Sequence, residues 1–203
     1  MAADDHWRRV YEAKRPDEVS WYQPLPEPSL DALDRLNIGP EDSLVDVGGG
    51  ASSLADALLD RGWNDLTVVD IAAPALEASQ ARLGSRSKNV DWLVADIRHW
   101  RPARTFGVWH DRAVFHFFTE ESGRAAYVEV LRAATQVDSH AIIATFAADG
   151  PQQCSGLPVQ RYDAESLAAA LGDGFSPIES WRQAHVTPQG ATQNFQWCAF
   201  RRV

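Results

Sequence analysis

Lysine is nearly missing from this sequence: Lys14 and Lys88 are the only two, and arginine carries the rest of the positive charge. Basic side chains number 19 against 28 acidic ones, a formal net charge of −9 at pH 7. Nonspecific grip on nucleic acid needs a basic footprint, and only the stretch from Arg98 to Arg104 is locally rich in base, so nucleic acid is not the expected partner. Cysteine is just as scarce. Cys154 and Cys198 are too few and too far apart for a disulfide framework or a zinc site. His110 and His116 lie six apart rather than the four that aligns two ligands on one helix face, so no metal is expected. No uninterrupted apolar run approaches the ~18 residues of a membrane span. The first residues, with Asp4, Asp5, Arg8 and Arg9, lack the apolar core of an export signal, so a cytoplasmic protein is expected. No internal repeat or low-complexity tract is visible.

What remains is ordinary globular material. The 203 residues are 45% apolar and 23% charged, enough for a full core in one domain. Residues 1–40 stand apart. Pro16, Pro24, Pro26, Pro28 and Pro40 interrupt them, and an acidic and aromatic patch, Glu18 to Gln23, sits between. Helices are expected near 5–14 and over 29–37, the second capped by Ser29 with Leu30, Leu33 and Leu36 at helical spacing. This segment reads as a helical cover over a domain at 41–203.

From residue 43 strands and helices alternate. Strands are expected at 43–47, 66–70, 90–94, 106–111 and 141–146, and helices at 51–61, 74–83, 120–134 and 163–171. Gly62 and Gly84 close two of the helices. Segments 175–187 and 191–201, separated by Pro188-Gln189-Gly190, form an antiparallel hairpin. Strict alternation implies an α/β fold, a Rossmann-like, doubly wound and mostly parallel sheet with helices on both faces.

Ligands of such sheets bind beyond the carboxyl ends of the strands at the topological switch point. The first strand ends in Asp46-Val47-Gly48-Gly49-Gly50-Ala51-Ser52-Ser53. A dinucleotide fingerprint would have its third glycine where Ser53 stands, and Asp46 would repel a pyrophosphate. An acid there suits a cationic ligand. Asp70, 20 residues after Gly50 at the end of the second strand, fits a ribose diol. Asp96-Ile97, after the third, offers a carboxylate and an apolar wall for an adenine. One ligand asks for all of these, S-adenosylmethionine. Each acid taken singly also has a plain role as a turn or helix cap.

On Val45-Asp46-Val47-Gly48-Gly49-Gly50, Val69-Asp70 and Val94-Ala95-Asp96 the chain resembles the class I, seven-β-strand S-adenosylmethionine-dependent methyltransferases over roughly residues 17–203. The resemblance implies a sheet in order 3-2-1-4-5-7-6 with the last strand antiparallel. It implies Asp46, Gly48 and Gly50 at the methionine end of the cofactor, Asp70 at the ribose, and Asp96 with Ile97 at the adenine. Gly49, Ser53, Ile71 and Trp21 complete the candidate cofactor set, with S-adenosylhomocysteine as product. Gly48 to Leu54 and Trp21-Tyr22-Gln23 are similar to a seven-strand group of protein-lysine methyltransferases. That group carries Asp-Lys-Gly-Thr after its fourth strand, where this chain has Asp111-Arg112-Ala113-Val114.

Methyl transfer is an in-line displacement, so the acceptor must present a free lone pair about 3 Å from the methyl carbon. The segment Trp109 to Phe118 faces that methyl in this fold. His116 or His110 is the candidate base, Asp111 the group that orients a histidine or steers an amine, and Arg112 the clamp for an anionic acceptor. Burial as core is the competing role for these aromatics and histidines. No Asn-Pro-Pro-Tyr-type tetrapeptide follows the fourth strand, which argues against adenine or glutamine-amide methylation. Trp21 and Tyr22 either lie over the site or pack the cover, and Arg161 and Tyr162 stand at the same rim. The expected function is therefore methyl transfer to a small molecule or a protein lysine, by a monomer or dimer. The alternatives are a cofactor-binding module without turnover and a nucleotide-dependent oxidoreductase.

Overall fold

The computed structural model describes residues 3–13 and 15–203. Helix α1 spans Ala3–Ala13; Lys14, the expected last residue of that helix, and residues 1 and 2 of the cover lie outside the described residues. Helix α2 spans Glu27–Arg35, so Ser29 is not its cap. Pro26 holds that position, and Ser29 lies buried in the first turn.

Strands β1 (Leu44–Val47) and β2 (Leu66–Asp70) are buried at every position. Such continuous burial marks central strands covered on both faces. Helix α3 (Leu54–Asp60) starts three residues later than the periodicity suggests, because 51–53 are consumed by the turn leaving β1. The Ser52 hydroxyl oxygen accepts from the Leu54 amide there at 3.1 Å. Helix α4 (Ala73–Leu83) follows, then β3 (Val90–Val94), an edge strand exposed on much of its length. Strand β4 (Phe106–Arg112) leads through a 3-10 turn at Phe115–Phe117 into helix α5 (Glu121–Ala134). Strand β5 (Thr135–Phe146) begins six residues before its expected start, directly at the end of α5. A two-residue-a-side ribbon, β6 (Gln153–Cys154) and β7 (Leu157–Pro158), occupies what reads as loop in the sequence. Helix α6 (Ala164–Leu171) is capped by Asp163, whose carboxylate accepts from the Ser166 amide. Strands β8 (Phe175–Val186) and β9 (Thr192–Arg202) form the closing hairpin.

The seven-stranded sheet runs β3-β2-β1-β4-β5-β9-β8. Counting only its own strands, this is 3-2-1-4-5-7-6, the expected order. β9 is antiparallel to both neighbours while β1 to β5 are parallel. Side chains alternate across the sheet and divide the core into two layers. Leu44, Val108 and Ile142 face α2 to α4 with Leu33, Leu54 and Leu58; Val45, Trp109 and Ile143 face α5 and α6 with Tyr127, Leu131 and Leu167. The order reverses between β1 and β4, and both strands end at the same level, with Val47 beside Asp111. That crevice is the expected ligand position of a doubly wound sheet.

Candidate cofactor and acceptor site

A cavity of about 350 Å³ opens at that crevice. Its walls come from the ends of four strands and from the cover: Gly48 after β1, Asp70 and Ile71 at β2, Asp96 and Ile97 after β3, Arg112 at β4, and Trp7, Tyr11 and Trp21 above them. The ribbon adds Cys154, Leu157 and Pro158, and the turn after β4 adds Phe117 and Phe118. A smaller cleft of about 50 Å³ adjoins it, lined by Asp46, Gly48, Gly49, Ser53, His110, Ser29 and again Tyr11, Trp21 and Arg112.

The three glycines make room for three different partners. A Cβ on Gly48, where φ is +67°, would stand 2.1 Å from Cγ2 of Val114. On Gly49 it would meet Oδ2 of Asp46 at 2.3 Å, and on Gly50 Oδ2 of Asp70 at 2.6 Å. The turn is therefore a cradle into which two carboxylates fold. Asp70 is 8% exposed and accepts the Ala72 amide at 2.8 Å through Oδ1. Burial pushes its carboxyl up to about 7, against the opposing pull of that amide. Asp96 is gripped by Arg98, whose Nε lies 3.0 Å from Oδ1 and Nη2 2.5 Å from Oδ2. Although partial burial opposes it, the guanidinium holds this carboxyl below its usual range. Gly50 lies behind the cavity wall, its carbonyl accepting from the Ser79 hydroxyl at 2.7 Å, and the Ser53 hydroxyl reaches the Gln23 carbonyl at 3.4 Å.

The acceptor side departs from expectation at three of its four residues. His116 is 0% exposed, turned inward by the 3-10 turn, with Nδ1 accepting the Phe146 amide at 3.3 Å and the ring packed on Phe117 and Phe146. Burial, helped by the charge of Arg112, pushes it down to about 3, and it lines neither cavity. Asp111 is also fully buried. It accepts from the Tyr127 hydroxyl at 2.6 Å and from the amides of Val114 and Phe115 at 2.8 and 3.0 Å, which ties off the turn after β4. Burial raises its carboxyl to about 6. His110 points into the small cleft, with Nδ1 2.7 Å from Oδ1 of Asp46 and Nε2 3.0 Å from Oγ of Ser29. Arg112 alone of the four borders the main cavity. Its Nη1 donates to the Trp21 carbonyl at 3.1 Å and its guanidinium lies 4.9 Å over the Phe195 ring, while Nη2 is sealed from solvent without a partner. Arg161 and Tyr162 are outside the lining: Arg161 donates to the Gly150 carbonyl, and the Tyr162 ring packs 5.4 Å from that of Phe115.

Trp7 and Tyr11 were not among the candidates. They stand four apart on α1 and so share one face, a spacing that signals a buried face but not its target. Trp7 meets Phe117 edge-on at 5.1 Å and Trp21 at 5.7 Å, which roofs the cavity with aromatic rings. Trp21 thus both lines the site and packs the cover; Tyr22 does not border the cavity.

Residues 44–136 match the family described as a methyltransferase domain. A relative from Mus musculus, named eEF1A lysine and N-terminal methyltransferase, is 27% identical over 109 residues, 53% of this chain. That stretch is 15% of the mouse protein, so the chain spans about a seventh of the length of this curated relative. A guanylate kinase from Hyphomonas neptunium is 42% identical over 82 residues, covering 36% of each chain. The phosphate-binding Gly-Lys-Ser/Thr that a P-loop kinase needs is missing after Gly50, where Ala51-Ser52-Ser53 follow. Among solved structures, the 1,6-didemethyltoxoflavin-N1-methyltransferase of Burkholderia thailandensis, with bound S-adenosylhomocysteine, superposes with a TM-score of 0.72 at 19% identity, covering 99% of this chain and 84% of that one. The sheet has the strand order of the class I S-adenosylmethionine-dependent methyltransferase fold, and the match to the methyltransferase-domain family spans just under half of the chain.

Proposed function

We propose that the chain transfers a methyl group from S-adenosylmethionine to a small-molecule acceptor enclosed beneath α1. The observation that carries this reading is the continuity of one cavity past Gly48, Asp70, Asp96 and Ile97 into a chamber walled by Trp7, Trp21, Phe117 and Phe118. The residues present fit the cofactor. A buried carboxylate at the end of β2 suits a ribose diol, Ile71 and Ile97 offer apolar faces to an adenine, and the glycine turn admits the amino-acid end beside Asp46. The Asp96 carboxylate, already spent on Arg98, acts on the adenine side by holding its loop.

When bound, S-adenosylmethionine supplies a methyl group activated by a sulfonium. The protein then has to align donor and acceptor and keep water out. The aromatic roof excludes water, and Arg112 fixes the cover by holding the Trp21 carbonyl. Histidine and Asp111 do not reach the chamber, so the reading needs an acceptor that arrives with its lone pair free. Two features favour a small molecule over a protein lysine. The aromatic rings of Trp7, Trp21, Phe117 and Phe118 line the chamber and narrow it to the scale of a small molecule, and the Arg112 charge beside it opposes an ammonium. The same inward turn of His116 and Asp111 also supports the second reading, a module that holds the cofactor without turnover.

The reading carries with it action in a reducing compartment such as the cytoplasm, where two free buried thiols persist. Among the described residues no helix is long and apolar enough to cross a membrane. Calorimetric titration with S-adenosylhomocysteine tests the cofactor assignment: saturable binding is expected, weakened by Asp70→Ala by about 1–3 kcal/mol. Thermal stabilisation by NAD but not by S-adenosylhomocysteine would overturn it. Transfer of label from S-adenosylmethionine to a small-molecule panel, absent despite tight cofactor binding, would favour the module.

A further inference from the structure

Ser29, His110 and Asp46 form a chain of side chains that joins the cover to the first strand of the sheet. All three are nearly sealed, at 2%, 2% and 5% exposure. Asp46 and His110 are direct neighbours in the β1–β4 register, so their side chains leave the sheet on the same face. A carboxylate only accepts, so the 2.7 Å contact to Oδ1 of Asp46 is a donation from His110 Nδ1–H. In the neutral imidazole Nε2 is then the acceptor, and the Ser29 hydroxyl donates to it across 3.0 Å. The tautomer is thereby set by partners on both sides. Ser29 belongs to the first turn of α2, 81 residues away in the chain. The Trp197 ring packs nearby, 6.3 Å from the imidazole.

The chain does not end in the core. Ser29, His110 and Asp46 all border the small cleft beside Gly48 and Gly49, and Oδ2 of Asp46 folds against Gly49. The other titratable groups facing this cleft are Arg112, also on β4, and Tyr11 from α1. The cleft, about 50 Å³, is bordered by one carboxylate and one guanidinium, charges that complement the ammonium and carboxylate of a small zwitterion. The order resembles a Ser-His-Asp nucleophile relay in its distances, but a cleft this size cannot hold an acyl substrate over a serine that is 2% exposed.

We propose that Ser29 and His110 are positioning residues that orient the Asp46 carboxylate toward the ammonium of the cofactor's amino-acid end, coupling the docking of α2 to cofactor selection. This rests on the methyltransferase reading above. His110 occupies one oxygen of Asp46 and fixes the plane of the carboxylate; Ser29 keeps the imidazole from rotating and is itself held only while α2 is seated. Removing either group frees Asp46 to turn, and the loss falls on the amino-acid end of the ligand alone.

Two ligands separate this from a purely structural role. S-adenosylhomocysteine carries the α-amino acid, and 5′-methylthioadenosine keeps the nucleoside and thioether without it. Calorimetric titration of the full chain should show His110→Ala weakening S-adenosylhomocysteine about tenfold, with the affinity for methylthioadenosine unchanged. Ser29→Ala, a change of one hydroxyl, should give a smaller loss in the same direction. His110→Asn, whose side-chain amide can donate to Asp46 in place of Nδ1–H, should recover most of the lost affinity. Equal weakening of both ligands, or of neither, in folded Ser29→Ala and His110→Ala proteins would overturn the proposal. So would covalent capture of Ser29 by a fluorophosphonate, which would make it a nucleophile. If the unaltered protein binds methylthioadenosine and S-adenosylhomocysteine equally well, the amino-acid end has no subsite and the relay has no role. If it binds neither, the cofactor reading fails first.

Discussion

A Cβ on Gly50 would lie 2.6 Å from Oδ2 of Asp70, so the glycine after β1 exists to let the acid after β2 fold over it. The two meet at the end of adjacent parallel strands, and the meeting leaves Asp70 buried in a low-dielectric wall.

That burial sets a pH dependence with two opposed signs. The Asp70 carboxyl is raised to about 7 in the folded protein, so the folded state binds a proton that the unfolded chain releases near its ordinary value of about 3.9. Its contribution to stability is full below that ordinary value and is lost as pH rises through about 7. Asp111, raised to about 6, acts in the same direction. Melting of the unliganded protein should therefore fall between pH 5 and 8 on account of these two groups. Affinity for S-adenosylhomocysteine should rise over the same interval, because a ribose hydroxyl donates best to the ionised carboxylate. Asp70→Asn should flatten the binding profile; a slope that survives this substitution assigns it to another group.

Asp111 and His116 divide structure from chemistry. Asp111 accepts three hydrogen bonds that close the turn after β4, and it touches neither cavity. Asp111→Asn should lower stability by about 1–3 kcal/mol and leave cofactor affinity per folded molecule unchanged. Chemical denaturation followed by titration reads both quantities. A stable Asn variant with impaired turnover would return Asp111 to a catalytic role.

The aromatic roof should control exchange. Trp7 touches Phe117 and Trp21 through edge-to-face contacts at 5.1 and 5.7 Å, each such pair contributing about 0.5–1.5 kcal/mol. Trp7→Ala should loosen α1 by about 1–3 kcal/mol. The expected readout in stopped-flow fluorescence is faster release of S-adenosylhomocysteine, with global melting little changed. Unaltered release would mean that α1 is not on the exit path.

Much of the architecture is legible in local pattern. Apolar β-branched runs such as Leu66–Asp70, glycines at the ends of α3 and α4, and Pro188-Gln189-Gly190 between two long strands suffice to read an α/β sheet with a terminal hairpin. The three acids at the carboxyl ends of β1, β2 and β3 are also legible, because a doubly wound sheet delivers strand ends to one edge whatever the loops do. Boundaries were less legible. β5 begins at Thr135 because pairing with β4 continues past its apolar centre, with Phe106 beside Thr135, and polar residues give no periodic signal of that pairing.

The sequence by itself determined the class of fold and the standing of Asp46, Asp70 and Asp96 at the carboxyl ends of three successive strands, since both follow from periodicity and from which residues end consecutive strands. The acceptor side was decided only in three dimensions. A 3-10 turn at Phe115–Phe117 sends His116 into the core and leaves Phe117 and Phe118 at the cavity. Packing of α1 and α2 against the sheet brings Trp7 to Phe117 and Ser29 to His110, contacts that span 110 and 81 residues. Such pairings depend on the burial of distant surfaces against one another. No local pattern encodes which histidine that burial will leave facing a ligand and which it will seal.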